Sequence, residues 1–245
     1  MVGRGFGGNI NLRATGAVPG SDNPCFPRGV ETKRGRQTRI TMKDLRIIRG
    51  EPQHAKLFPE CLSLLERTQG RNVFTLEYLE RCASEGNRVL FIALVSGEIA
   101  GVATARVLGT EEFAHYAPFG PDVAVLFRQN RVGSFETASV RELMQGKGVG
   151  QELGRHRIDW LKRMGCHAVV GVSWESGLPH VSNRVFEKLG FRRMSRAENF
   201  YGEHSIRRGI VCPVCGEPPC RCSAALYVLN LLETRTGPNG AGQPP

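Results

Sequence analysis

Two clusters in this 245-residue sequence carry residue types and spacings suited to chemistry. The first is Gln145-Gly146-Lys147-Gly148-Val149-Gly150, a glycine-rich turn between a strand-like run and a helix-like stripe. Glycines let a backbone turn tightly and approach a ligand, and a helix N-terminus offers unpaired N–H donors at the positive end of its dipole. A pyrophosphate fits such a turn. The second is Cys212-x2-Cys215-x4-Cys220-x-Cys222, with Pro213, Gly216, Pro218 and Pro219 shaping the turns between the thiols. Four thiolates satisfy tetrahedral Zn2+, and a closed site of this kind is structural, without an open catalytic position. A redox-active CxxC, an iron–sulfur site and idle thiols are the other readings of the same residues.

Glycine turns occur in several nucleotide sites, so the elements around this one must decide its ligand. The dinucleotide pattern GxGxxG fails in both registers, because Gln151 and Leu153 stand at the third glycine position; the looser Gly148-x-Gly150-x-x-x-Gly154 does match. Upstream, Leu45 to Ile48 begins the ordered part as a short apolar run, and two helical stretches follow, one carrying Ala55 to Leu65 and one from about Thr75 to Ala83. Val89 to Val95 and Ile99 to Leu108 form a hairpin about Ser96-Gly97. Residues 109 to 133 hold Gly, Pro, Asn and aromatics without clean period, which predicts a long excursion. Phe135 to Leu143 reads as a strand into the glycine turn. Val149, Leu153, Trp160, Leu161 and Met164 then stripe a helix, and Ala168 to Trp174 is a strand. Val181, Val185 and Leu189 mark another helix, closed by Gly190 at C′. The pattern is α/β, antiparallel in its first half, with a parallel crossover over residues 135 to 174. One crossover after antiparallel strands argues against a Rossmann domain.

Composition bounds the partners. Residues 1 to 43 carry eight Lys/Arg against two Asp/Glu, which leaves 25 against 21 for the rest, so the net charge of +10 lies mostly in the leader. Residues 1 to 42, rich in Gly and Arg, and residues 236 to 245 read as disordered. Such a leader could attract nucleic acid or an acidic partner without specificity and serves equally as a solubilising tail; nucleic-acid binding through it is possible but not expected. The longest apolar runs have strand length, well short of the ~20 residues that span a bilayer, and the first 20 residues lack a secretory core, so a cytoplasmic location and no membrane partner are expected. In a reducing compartment the crowding of four cysteines into residues 209 to 223 points to metal rather than disulfides.

Val140 to Gly150 (VRELMQGKGVG) resembles motif A of the GNAT acetyltransferases, and Ser182 to Phe191 (SNRVFEKLGF) resembles their motif B, in the right order and separated by one helix and one strand. The resemblance implies a GNAT fold over residues 43 to 235: a mixed, mostly antiparallel sheet of six or seven strands flanked by helices, with the Cys-rich insert before the last strand. It also implies an N-acyltransferase using acetyl-CoA, with Val140 on the pantetheine arm and Gln145, Gly146, Lys147, Gly148, Val149 and Gly150 around the pyrophosphate. A small-molecule or protein amine would be the acceptor. Many members carry a tyrosine general acid where this chain has Phe186, so that role is vacant or filled elsewhere. Tyr201, in a polar cluster with Glu203 and His204, is the candidate acid; Glu136 stands where several members carry the carboxylate that takes the amine proton through water. The insert borders the acceptor side in such folds and would shape acceptor recognition. The alternative function is a nucleic-acid or partner-binding module with an inactive CoA-binding core and a zinc knuckle.

Overall fold

The chain divides into units of residues 1–39 and 40–245. The computed structural model describes residues 44–176 and 181–232, all in the second unit. The leader and the C-terminal tail therefore lie outside the described residues.

Seven strands form one sheet in the order β1-β2-β3-β4-β5-β7-β6. They are β1 (Leu45–Gly50), β2 (Arg88–Val95), β3 (Glu98–Val107), β4 (Val132–Val140), β5 (Ala168–Glu175), β6 (Arg192–Ala197) and β7 (Ser223–Asn230). Every neighbouring pair is antiparallel except β4–β5, which is parallel. The cysteine insert precedes β7, where the sequence puts it. β2 and β3 are almost wholly buried because helices cover both faces, which explains the continuous apolar run Val89–Val95 of β2.

On one face lie α1 (Phe58–Gln69) and α2 (Leu76–Ser84), whose Phe58, Leu65 and Leu79 pack on Leu90, Ile92 and Val102. Thr75 caps α2 by accepting the Tyr78 N–H. The opposite face is covered by α5 (Val149–Arg163) and α6 (Val181–Lys188), with Val149, Leu153, Leu161 and Phe186 in the core beneath. Gly133 and Gly171 are glycine for packing reasons: a Cβ there would sit 2.5 Å from Leu161 and 2.3 Å from the Phe186 ring.

Three expectations are corrected. The excursion at 109–133 contains α3 (Phe113–Tyr116) and α4 (Asp122–Gln129), joined by short 3-10 turns. These helices are too short for a periodic stripe and hold through tertiary cover, Tyr116, Val123 and Phe127 packing with Val170 and Leu226. The motif A strand runs Val132–Val140, three residues earlier than its apolar pattern suggests, because a 3-10 turn at Glu142–Met144 takes over its end. Finally, a helix α7 (Gly202–Arg208) carries the polar cluster after β6.

Candidate active site

The parallel pairing of β4 and β5 covers only Val132↔Ala168 to Phe135↔Gly171. Beyond that point β5 continues along β7 while β4 runs on beside β3 alone, so the two strands fork. At the fork the β3–β4 register jumps from Ala105↔Phe135 to Thr104↔Thr137, which leaves Glu136 as the bulged residue. A cavity of about 690 Å³ fills the opening and passes through the sheet. Val140, Gly150, Val185 and Phe186 line it on the α5/α6 side, and Tyr78, Glu136, His115 and Tyr201 on the other.

The glycine turn closes the upper end of the first side. Gly146 and Gly148 have φ of 71° and 90°, the left-handed region that favours glycine, and Gly148 is the N-cap of α5. Gln145 Nε2 donates to the Val140 carbonyl at 3.1 Å, fastening the turn to the strand end. Among the described residues, the amides of Gly146, Lys147 and Gly148 donate to no backbone carbonyl, and those of Val149, Gly150 and Gln151 are the orphan donors of a helix start. Val140, Gln145 and Gly150 line the cavity; Lys147 is exposed outside it, and the Val149 side chain points into the core. Most of these residues could therefore act through backbone rather than side chain.

On the far side Arg106 forms an ion pair with Glu136 at 3.0 Å and also pairs with Glu112. Tyr78 Oη lies 2.7 Å from Thr104 Oγ1 and Tyr116 Oη 3.1 Å from Ser134 Oγ, and burial raises both phenols. Gln69 Nε2 reaches Ser139 Oγ at 3.1 Å and the Ala138 carbonyl at 3.2 Å, holding the free stretch of β4 against α1. Tyr201 is in the same chamber, its phenol pushed up by burial and then by the neighbouring thiols, so it stays protonated. Phe186 stacks on Tyr227 at 5.0 Å and is a floor residue, with no proton to give.

The sequence reading missed three groups. His115 and Arg106 line the chamber, and Arg157 on α5 is buried at the fork. His115 sits in the stretch read as an excursion, and Arg157 interrupts an apolar helical face, a signal legible only as an exception. Burial holds His115 and His204 below the usual 6.5 and pushes Arg157 down to about 9. For the two histidines the folded state disfavours the proton that the unfolded chain accepts. Their contribution to stability is therefore full above pH 6.5 and is lost as pH falls through their folded values. Urea titrations should show the midpoint falling from pH 7 to pH 5, with a shallower fall in His115→Gln; equal slopes in both proteins would reject this.

The four thiols gather between β6 and β7, all Sγ atoms within 4.8 Å of one another. Cys215–Cys222 is 3.5 Å, Cys212–Cys222 3.9 Å and Cys215–Cys220 3.9 Å. A tetrahedral zinc with Zn–S of ~2.3 Å requires S···S of roughly 3.8 Å, whereas a disulfide needs ~2.05 Å. Amides of Val214 and Cys215 donate to Cys212 Sγ, and that of Arg221 to Cys215 Sγ, each at 3.4 Å, the arrangement that supports thiolate charge. Cys212 and Cys220 also border the cavity.

Residues 57–191 match the family profile described as Acetyltransferase (GNAT) family. No curated protein matches the sequence. Among solved structures, the Escherichia coli ribosomal-protein-S18-alanine N-acetyltransferase superposes with a TM-score of 0.52 at 16% identity, over 81% of this chain and 99% of that one. Arabidopsis thaliana NAA60 in complex with acetyl-CoA gives 0.56 at 14% identity, over 77% and 99%. The Drosophila melanogaster polyamine N-acetyltransferase gives 0.52 at 17%, over 76% and 100%. At these identities the likeness is one of fold. No helix among the described residues is long and apolar enough to cross a membrane.

Proposed function

We propose, from the premise that this chain belongs to the GNAT acetyltransferase family, that it transfers an acyl group from acetyl-CoA to an amine acceptor. The observation that carries this is the fork of β4 and β5 beside the glycine turn, which opens one cavity from the turn through the sheet to a polar chamber. Under this reading the orphan amides of residues 146–151 hold the pyrophosphate. The arm runs along Val140 and Ala138, and the thioester reaches the fork, where unpaired β4 backbone can stabilise the oxyanion.

The acceptor enters from the chamber. Its amine gives a proton through water to Glu136, which Arg106 orients, and attacks the thioester carbon as the C–S bond breaks. Tyr201, protonated in its buried setting, returns a proton to the departing thiolate in place of the tyrosine that Phe186 replaces. The zinc reading also enters here: Cys212, Cys215, Cys220 and Cys222 have the spacing for a structural Zn2+, which when bound supplies a fixed wall for the chamber and takes no part in transfer.

A CoA-release assay over small amines, polyamines and peptides with free N-termini or lysines tests the reading. Glu136→Gln should lower kcat/KM for the best acceptor by ~10²- to 10³-fold while acetyl-CoA affinity stays within about twofold. Tight, salt-sensitive nucleic-acid binding with neither CoA binding nor turnover would overturn it.

A further inference from the structure

We propose that the acyl end of the cavity accepts a group that terminates in a carboxylate, bound by Arg157, so that the donor class includes dicarboxylic acyl-CoA thioesters. This rests on the acyl-CoA reading above. Arg157 lies two turns into α5 from Gly150 and is 4% exposed, yet borders the cavity. Its Nη1 donates to the Thr104 and Thr137 carbonyls at 3.4 and 3.3 Å, both long, and its Nε is buried without a partner. The guanidinium carbon stands 3.6 Å from the Phe135 ring centroid. Among the described residues no carboxylate comes within ion-pair distance, whereas Arg106 in the opposite chamber has two. A buried cation left with neutral carbonyls and a ring is a costly arrangement unless an anion completes it.

Position selects the source of that anion. Arg157 and Phe135 belong to the α5/α6 side of the fork, with Phe186 and Val185, and the acceptor chamber is on the other face. From Val140 to Phe135 the strand extends roughly 16 Å at ~3.3 Å per residue, the order of length of an extended pantetheine arm. A thioester whose arm follows β4 from the glycine turn thus delivers its acyl group beside Phe135 and Arg157. A four-carbon acyl group ending in a carboxylate would meet the guanidinium fork, a pairing that acetyl cannot make. The transfer itself is unchanged: the C–N bond forms at the thioester carbon, the C–S bond breaks, the amine proton goes through water to Glu136, CoA leaves as the thiol with the proton from Tyr201, and the distal carboxylate is carried intact into the amide.

Calorimetry with stable CoA thioethers tests this without any acceptor. S-(3-carboxypropyl)-CoA should bind the wild-type protein at least tenfold more tightly than S-butyl-CoA, and Arg157→Met should abolish the difference by weakening only the acid. The wild-type comparison decides the matter even if that variant fails to fold. Equal binding of the two thioethers would overturn the carboxylate site, would leave any carboxylate partner of Arg157 to the acceptor, and would keep the acyl-CoA reading. Failure of both thioethers and of free CoA to bind would overturn that reading as well.

Discussion

Stripping the proposed zinc from the four thiols should lower the melting temperature by about 10 °C and raise the acceptor KM by an order of magnitude, with CoA affinity unchanged. A metal present at a thousand times its dissociation constant contributes ~4 kcal/mol, and a domain of about 200 residues shifts by ~2–4 °C per kcal/mol. The split between acceptor and cofactor follows from what the insert touches. The Cys220 amide donates to Ser205 Oγ at 2.8 Å, which ties the thiol cluster to α7. Asn72 Nδ2 donates to the Gly209 carbonyl at 2.9 Å and Arg71 bridges to Val211, which ties the same segment to the α1–α2 loop. A Cβ at Gly70 would lie 2.4 Å from the Val211 carbonyl oxygen, so this docking is close. Both walls of the proposed acceptor chamber therefore lean on the insert, and the glycine turn does not. Metal analysis should give one zinc per chain, falling to none in Cys215→Ser/Cys222→Ser. Full thermal stability and acceptor affinity after complete chelation would remove the metal from the account.

How much of this was legible beforehand depends on range. The glycine turn, the helix it opens and Gly190 at the end of α6 are local devices whose residues state their backbone conformation, and the structure has each one in place. The long apolar run of β2 announces a strand covered on both faces. The fork is different, because it is made by β5 leaving β4 to follow β7, a strand more than 50 residues later. No pattern within β4 distinguishes Phe135 as its last parallel-paired residue. The bulge at Glu136 is likewise a property of pairing with β3. His115 was hidden because a four-residue helix has no period to display. Arg157 broke an apolar stripe, and only the cavity beside it gives that exception a chemical meaning.

The glycine turn itself permits a test in which binding and folding separate. Gly148 has a φ of 90°, so Gly148→Val places a branched residue in the left-handed region at a cost of about 1–2 kcal/mol, while misdirecting the amides of the turn. It should lose ~5 °C of stability together with at least ~100-fold of CoA affinity, since the helix-start donors no longer converge. Gly150 carries no such constraint. A Cβ there meets only Val185 and Val140, at 3.7 and 3.8 Å, ordinary contact distances. Valine is also a better helix former than glycine, by a few tenths of a kcal/mol. Gly150→Val should therefore fold with a melting temperature no lower than wild type, yet its methyl groups would occupy the ligand space between β4 and α6, and CoA affinity should fall by ~30-fold or more. The pair distinguishes two meanings of a glycine-rich turn. Where glycine serves conformation, its replacement damages the protein and the site together; where it serves clearance, the protein is spared and only the ligand is refused. If Gly150→Val bound CoA as wild type does, the cofactor would have to lie away from the start of α5, and the cavity at the fork would need another occupant.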